Sequence, residues 1–342
     1  MEFLDSFLLP LSTSNLALYQ VLLTISMCIF LIYSGLLLGS AILSLFYANK
    51  TKYKNQNKYA KLSAYYINIP LFDIWFALIF AIVPFLAVLI FYYQFFHNET
   101  TQIIKLIVFS FGFYLLGFAF LISHRMILKS RNVYKILKGE KVETEEGELL
   151  EIDSKVLFPG VVMLFLALWM FVGTISLTLD YNAWVGSDSI FGVLFRVQSL
   201  ILFFQFFALS MSFATVIFLV KECSSNKRII SSTDNLTRQS AGISVIFASI
   251  IPVFFFFDAV FTPVFTISAI PFVLILIAIV LLFVFVHFIY VNLRWGDRNY
   301  TKPAFYLLLI VFLLFIIQGQ LSFDTATKEQ RLKLTTEQAQ QK

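Results

Sequence analysis

FVLILIAIVLLFVFVHFIY, residues 272–290, decides the fold class. The run contains no Asp, Glu, Lys or Arg, and its polarity does not alternate from one residue to the next. A strand of an outer-membrane barrel would alternate over about ten residues. A helix crossing the hydrocarbon layer needs about 20 mainly apolar residues in succession. The run therefore reads as part of a membrane-spanning helix near 264–292. Comparable stretches lie near 16–47, 68–95, 102–123, 156–178, 190–220, 240–258 and 303–321, making eight in all. A chain that is 59% hydrophobic and 13% charged, with mean hydropathy +0.85, has too little polar surface to cover a soluble globule. The expected fold is an all-α polytopic membrane protein.

Moving outward from the spans, the basic residues fall into every second gap. Lys50, Lys52, Lys54, Lys58 and Lys61 lie in the first, and Arg125, Lys129, Arg131, Lys135, Lys138, Lys141 and Lys155 in the third. Lys221, Lys227, Arg228 and Arg238 lie in the fifth, and Arg294, Arg298 and Lys302 in the seventh, while the gaps near 96–101, 179–189 and 258–266 hold none. Basic residues flanking spans stay on the cytoplasmic side. The pattern predicts a multi-pass protein of the inner (cytoplasmic) membrane with both termini outside the cytoplasm. These four gaps hold 19 of the 25 basic residues, so the net charge of +5 reflects anchors facing anionic lipid and calls for no nucleic acid. The first segment is too long, and its flank with Glu2 and Asp5 too acidic, for a cleaved signal peptide. Cys28 and Cys223 lie where no disulfide is expected, and with no CxxCH motif covalent haem is excluded.

The spacing of the first three spans recurs in the fifth to seventh, with Tyr19-Gln20-Val21 and Val197-Gln198-Ser199 opening the two sets and His124 and His287 near their ends. This predicts two related four-helix halves, divided as residues 1–155 and 156–321 with a polar outer-face tail at 322–342. Within the loop from Lys129 to Lys155, residues 141–153 turn from basic to acidic around Glu146-Gly147 and read as a small hairpin or a solvated loop. Residues 323–334 have helix-forming character, with Asp324 as a cap and Glu329 four residues before Lys333.

Ionisable groups inside a membrane are costly and mark candidate sites. Asp73, some six residues into the second span, would lie about 9 Å deep at 1.5 Å per residue, and His287, seven residues before Arg294, about 10 Å deep on the same side. They read either as interfacial residues bonding between helices, as a proton-accepting pair, or, for His287, as a metal or haem ligand. Near the other face, Arg196 and Asp258 sit at comparable depth on sequential helices and read as an outer-side ion pair or the lining of a polar cavity. His124 reads as an interfacial residue. Pro84, Pro252, Pro263 and Pro271 free backbone carbonyls within spans. Gly35, Gly39 and Ser40, and Gly112 with Gly117, form faces suited to close helix packing. Nucleotide-binding, zincin, nucleophile-elbow and kinase motifs are absent from the sequence, so catalysis by this chain alone is not expected.

Ile69-Pro70-Leu71-Phe72-Asp73-Ile74-Trp75, followed by Ala81-Ile82-Val83-Pro84-Phe85-Leu86 and Tyr92-Tyr93-Gln94-Phe95-Phe96, resembles divergent relatives of the large subunit of cytochrome bd quinol oxidases. Some of those relatives associate with c-type cytochromes. The resemblance implies a membrane subunit of a respiratory or electron-transfer assembly that anchors an outer-face cytochrome c, with the tail from Phe323 as a docking segment. It also implies that any non-covalent haem b would draw its ligands from His287, His124 or a methionine such as Met211. The chain departs from the family's pattern at the ligand positions. Met27 and Cys28 stand in the first helix and Gln205 and Phe206 in the fifth, and the third span lacks carboxylates. The alternative expectation is a secondary transporter or channel for a small ion or solute, using Asp73 with His287 or Arg196 with Asp258.

Overall fold

The computed structural model describes residues 13–54, 57–96, 102–137, 146–179, 189–224, 233–262, 269–295 and 298–328. The described residues are helical throughout apart from short turns, and eight helices are long and apolar enough to cross a membrane. These are α1 (Thr13–Lys54), α3 (Ile74–Phe96), α4 (Gln102–Leu137), α5 (Glu146–Thr178), α7 (Val197–Ser224), α8 (Thr233–Phe261), α9 (Ala269–Trp295) and α10 (Thr301–Ala326). Two shorter helices, α2 (Asn57–Asn68) and α6 (Ile190–Leu194), lie between spans, and a 3-10 turn at Arg298–Tyr300 leads into α10. The protein is an all-helical polytopic membrane protein. Its two ends are called here the basic end, where the lysine-rich connections lie, and the opposite end.

Helices dominate because lipid offers backbone amides no partner outside the segment itself. The 42 residues of α1 make a rod about 63 Å long at 1.5 Å per residue, longer than a bilayer with its headgroups. Its basic end therefore runs on beside α2. There Ser44 and Ser63 exchange hydrogen bonds with each other's carbonyls at 2.9 and 2.8 Å, and Tyr47 stacks between Tyr59 and Tyr66. The basic stretch after the first span is thus largely a packed helix.

Four expectations change at the level of elements. Residues 146–153, read as part of a hairpin or loop, form the first turns of α5. The boundary at residue 155 consequently cuts through one continuous helix. Phe323, expected to begin a polar tail, is buried in the last turn of α10 against Tyr92, Phe95 and Phe96; residues 329–342 lie outside the described residues. Pro271 stands in the first turn of α9, where proline breaks no hydrogen bond, whereas Pro84 and Pro252 lie inside helices. Pro263 lies outside the described residues.

Packing sorts the spans into two rings of four. α1 lies against α3 and α5, α3 against α4, and α4 against α5; α7 lies against α8 and α10, α8 against α9, and α9 against α10. The rings meet where α1 touches α7 and α10, and where α5 touches α7. The first ring closes over Phe30, Phe85, Tyr114 and Phe171, one from each helix, with ring centroids 4.5–5.4 Å apart. Between the rings, Gly39 lets α1 touch the backbone of α7: a Cβ there would collide with the Ser210 carbonyl. Gly117 likewise admits the backbone of α5 at Gly160 and Leu164, while Gly112 faces open space. The small-residue face expected on α4 is therefore carried by Gly117.

Candidate functional site

α7 is the most enclosed span, yet it carries Gln198, Gln205 and Ser212 at seven-residue steps. Seven residues bring an α-helix back to within about 20° of its starting direction. All three therefore share one stripe, and that stripe meets α8. Near the opposite end, Gln198 Nε2 donates to Thr262 Oγ1 at 3.0 Å, and Thr262 Oγ1 donates to Asp258 Oδ1 at 2.7 Å. Further along, Ser212 Oγ donates to the Ser244 carbonyl at 3.3 Å. The two helices run antiparallel and form a polar seam through the second ring.

Asp258 is the centre of this seam. It is 1% exposed and sits in the last turn of α8, where the helix dipole opposes a negative charge. Its Oδ1 accepts from Thr262, and the side chain of Gln318 from α10 lies close beside it. The second carboxylate oxygen, together with Gln198 Oε1 and Gln318 Oε1, is buried with no hydrogen-bond partner among the described residues. Gln318 also lines a cavity of about 30 Å³ with Leu31, Val172, Leu202 and Gln320, where α1, α5, α7 and α10 meet. That volume holds about one water.

Gln205 lies between the two hydrogen-bonded levels, fully buried, and neither end of its amide has a partner among the described residues. Facing that level of the seam, α8 carries Pro252, which has no N–H to offer the carbonyl of Ala248. Toward the basic end, α7 carries a second buried carboxylate, Glu222, at 2% exposure. Tyr65 on α2 feels it: burial first, then the Glu222 charge, push the Tyr65 hydroxyl up to about 12. Tyr66, fully buried beside it, bonds Ser240 of α8 at 3.0 Å. With Asp258 one turn below the Gln198–Thr262 level, the two carboxylates are separated by roughly 20 residues of helix, or about 30 Å. That equals the hydrocarbon thickness of a bilayer.

The residues singled out from sequence fare differently. Asp73 is exposed and lies just before α3, where its Oδ1 accepts the Trp75 amide at 2.8 Å. It is a helix cap, since Pro70 keeps the preceding residue out of helical conformation and α3 begins only at Ile74. His287 is exposed on the outer face of α9. Asp73 belongs to the first ring and His287 to the second, so the structure does not bring them together as a pair. His124 is buried in α4, next to the basic end. Its neighbour Arg125 donates to the Phe72 carbonyl at 2.6 Å and to Asn68 Oδ1 at 3.1 Å, holding the turn between α2 and α3. Met211 is buried in α7, its carbonyl accepting from Thr215 at 3.0 Å. Arg196 lies in the turn between α6 and α7, at the start of the fifth span rather than inside it, and Asp258 takes its described hydrogen bonds from neutral groups. Among the described residues no cluster of three or more His, Cys, Asp or Glu is placed to hold a metal.

Sequence reasoning passed over Gln318, Thr262 and Glu222, and read Gln198 and Gln205 only as repeat and ligand-position markers. The signal available was the seven-residue spacing of polar residues in α7, which a search confined to ionisable groups passes over. No family model matches the chain and no curated protein matches it.

Proposed function

We propose that the protein is a secondary transporter or channel that moves protons along the seam between α7 and α8. The observation that carries this reading is Asp258, a buried carboxylate within a span that accepts from Thr262 and has Gln318 of α10 beside it. Its carboxylate accepts a proton from the opposite end, and Glu222 takes it up toward the basic end. Between them, Gln205, the freed Ala248 carbonyl, Ser212 and Ser244 orient the hydroxyls and single waters through which it hops. Each carboxylate returns to its starting charge, and no redox partner is consumed. The proton is favoured over a metal cation because a hard cation requires about six oxygen ligands, whereas the seam side chains bond one another directly, Gln198 to Thr262 and Thr262 to Asp258. Amides and hydroxyls this deep in a membrane mark a pathway more readily than a packing contact, since each unmade hydrogen bond is costly there.

The test is proton uptake into proteoliposomes driven by a membrane potential. Wild-type protein should carry protons, and Asp258→Asn, which keeps the shape and the Thr262 contact, should lower the flux by about a hundredfold at unchanged melting temperature. Equal flux in the two proteins would refute this mechanism. The electron-transfer reading is tested on the same preparation: a visible haem band, or a c-type cytochrome that co-purifies, would favour it instead.

A further inference from the structure

The outward stripe of α9 changes character near its basic end. Val273, Leu276, Val280 and Phe283 are exposed apolar residues, as a lipid-facing helix requires. The next positions on the same face are His287, Tyr290 and Arg294, all exposed. The Arg294 guanidinium donates to the Tyr290 hydroxyl at 3.0 Å. Trp295 beside it is 68% exposed, a side chain suited to the headgroup level. Eight residues separate Trp295 from His287, which places the imidazole about 12 Å deeper along the helix axis. An imidazole N–H that faces outward below the headgroup level needs a polar partner from the lipid, since an unpaired polar group there is costly.

From this arrangement we infer a binding site for one anionic phospholipid on α9, with the phosphate on Arg294 and Tyr290 and a glycerol ester carbonyl on His287. Arg294 supplies the charge and a planar fork that matches phosphate oxygens. Tyr290 fixes the guanidinium in place and presents its own hydroxyl. His287 lies one turn, about 4.5 Å, below Tyr290, the level at which the ester groups of the same lipid fall. An imidazole N–H donates to such a carbonyl. The site is separate from the α7–α8 seam and independent of the transport reading.

Native mass spectrometry of the full chain in detergent, titrated with phosphatidylglycerol or phosphatidylcholine of the same acyl composition, tests it. One phosphatidylglycerol should be retained in preference to phosphatidylcholine. Arg294→Gln should weaken that binding about tenfold, the loss of one charge-assisted hydrogen bond, and His287→Phe should weaken it to a lesser degree. Arg238→Gln, which removes an exposed cation at the same end on α8, should leave it unchanged. Equal retention of the two lipids, or an Arg294→Gln protein that binds like wild type, overturns the inference. So does a dimer that dissociates in the Arg294 and His287 variants, which would assign this face to a second copy of the chain.

Discussion

Gln205 separates a packing role from a transport role more sharply than Asp258 does. A buried amide with neither end bonded costs about 1–3 kcal/mol relative to a satisfied one, and leucine fills a similar volume. Gln205→Leu should therefore leave thermal stability unchanged or raise it, while proton flux in proteoliposomes falls. A variant as active as wild type would show the amide to be a passive occupant of α7. Gln205 stands in the sequence at the position where the resemblance implies a haem ligand, yet nothing in composition distinguishes a buried amide from a solvated one. Asp258 was legible as a candidate because a charge in an apolar run stands out. Thr262, four residues on, was within reach of the same reading, but Gln198 and Gln318 were not, because they come from two other helices brought to this place by packing.

At the scale of elements, close approach of backbones is the most testable feature. Gly39 on α1 sits against the Ser210 carbonyl, whereas Gly112 on α4 has nothing within 4 Å. Gly39→Ala should lower stability by about 1–3 kcal/mol, the usual cost of overpacking, and Gly112→Ala should not; melting curves in detergent would compare them. The spans themselves were legible, because apolar length reports a crossing directly. Their starting points were not. The runs at 68–95 and 190–220 each contain a turn, at residues 69–73 and 195–196, and hydropathy reports composition without reporting the direction of the backbone. Those two turns moved Asp73 and Arg196 from positions inside spans to the starts of helices. α2 was hidden for the opposite reason: its Lys58 and Lys61 read as a loop although Tyr59, Leu62 and Tyr66 are buried.

At the scale of the whole molecule, the alternation of basic connections predicts which end faces the cytoplasm. Cysteines introduced by Arg238→Cys at the basic end and by Ser189→Cys at the opposite end, both exposed positions, give the check. With Cys28 and Cys223 replaced by serine, a membrane-impermeant maleimide should label the second from outside intact cells and the first only in inverted vesicles. The two rings are joined in a way that treats them alike: exchanging α1 with α7 and α5 with α10 turns the α1–α10 contact into the α5–α7 contact and leaves the α1–α7 contact as it is. The contact of α1 on α7 lies on that exchange, and Gly39 brings it to backbone distance. Any tilt of one ring against the other is constrained most closely at that point. Ser210 is twelve residues from Gln198, about 18 Å along the axis, so a tilt of about 5° between the rings moves the Gln198 end by about 1.5 Å. The cavity beside Gln318 lies at that end, bounded by α5 on one arm and α10 on the other, and a displacement of this size is the radius of a water molecule.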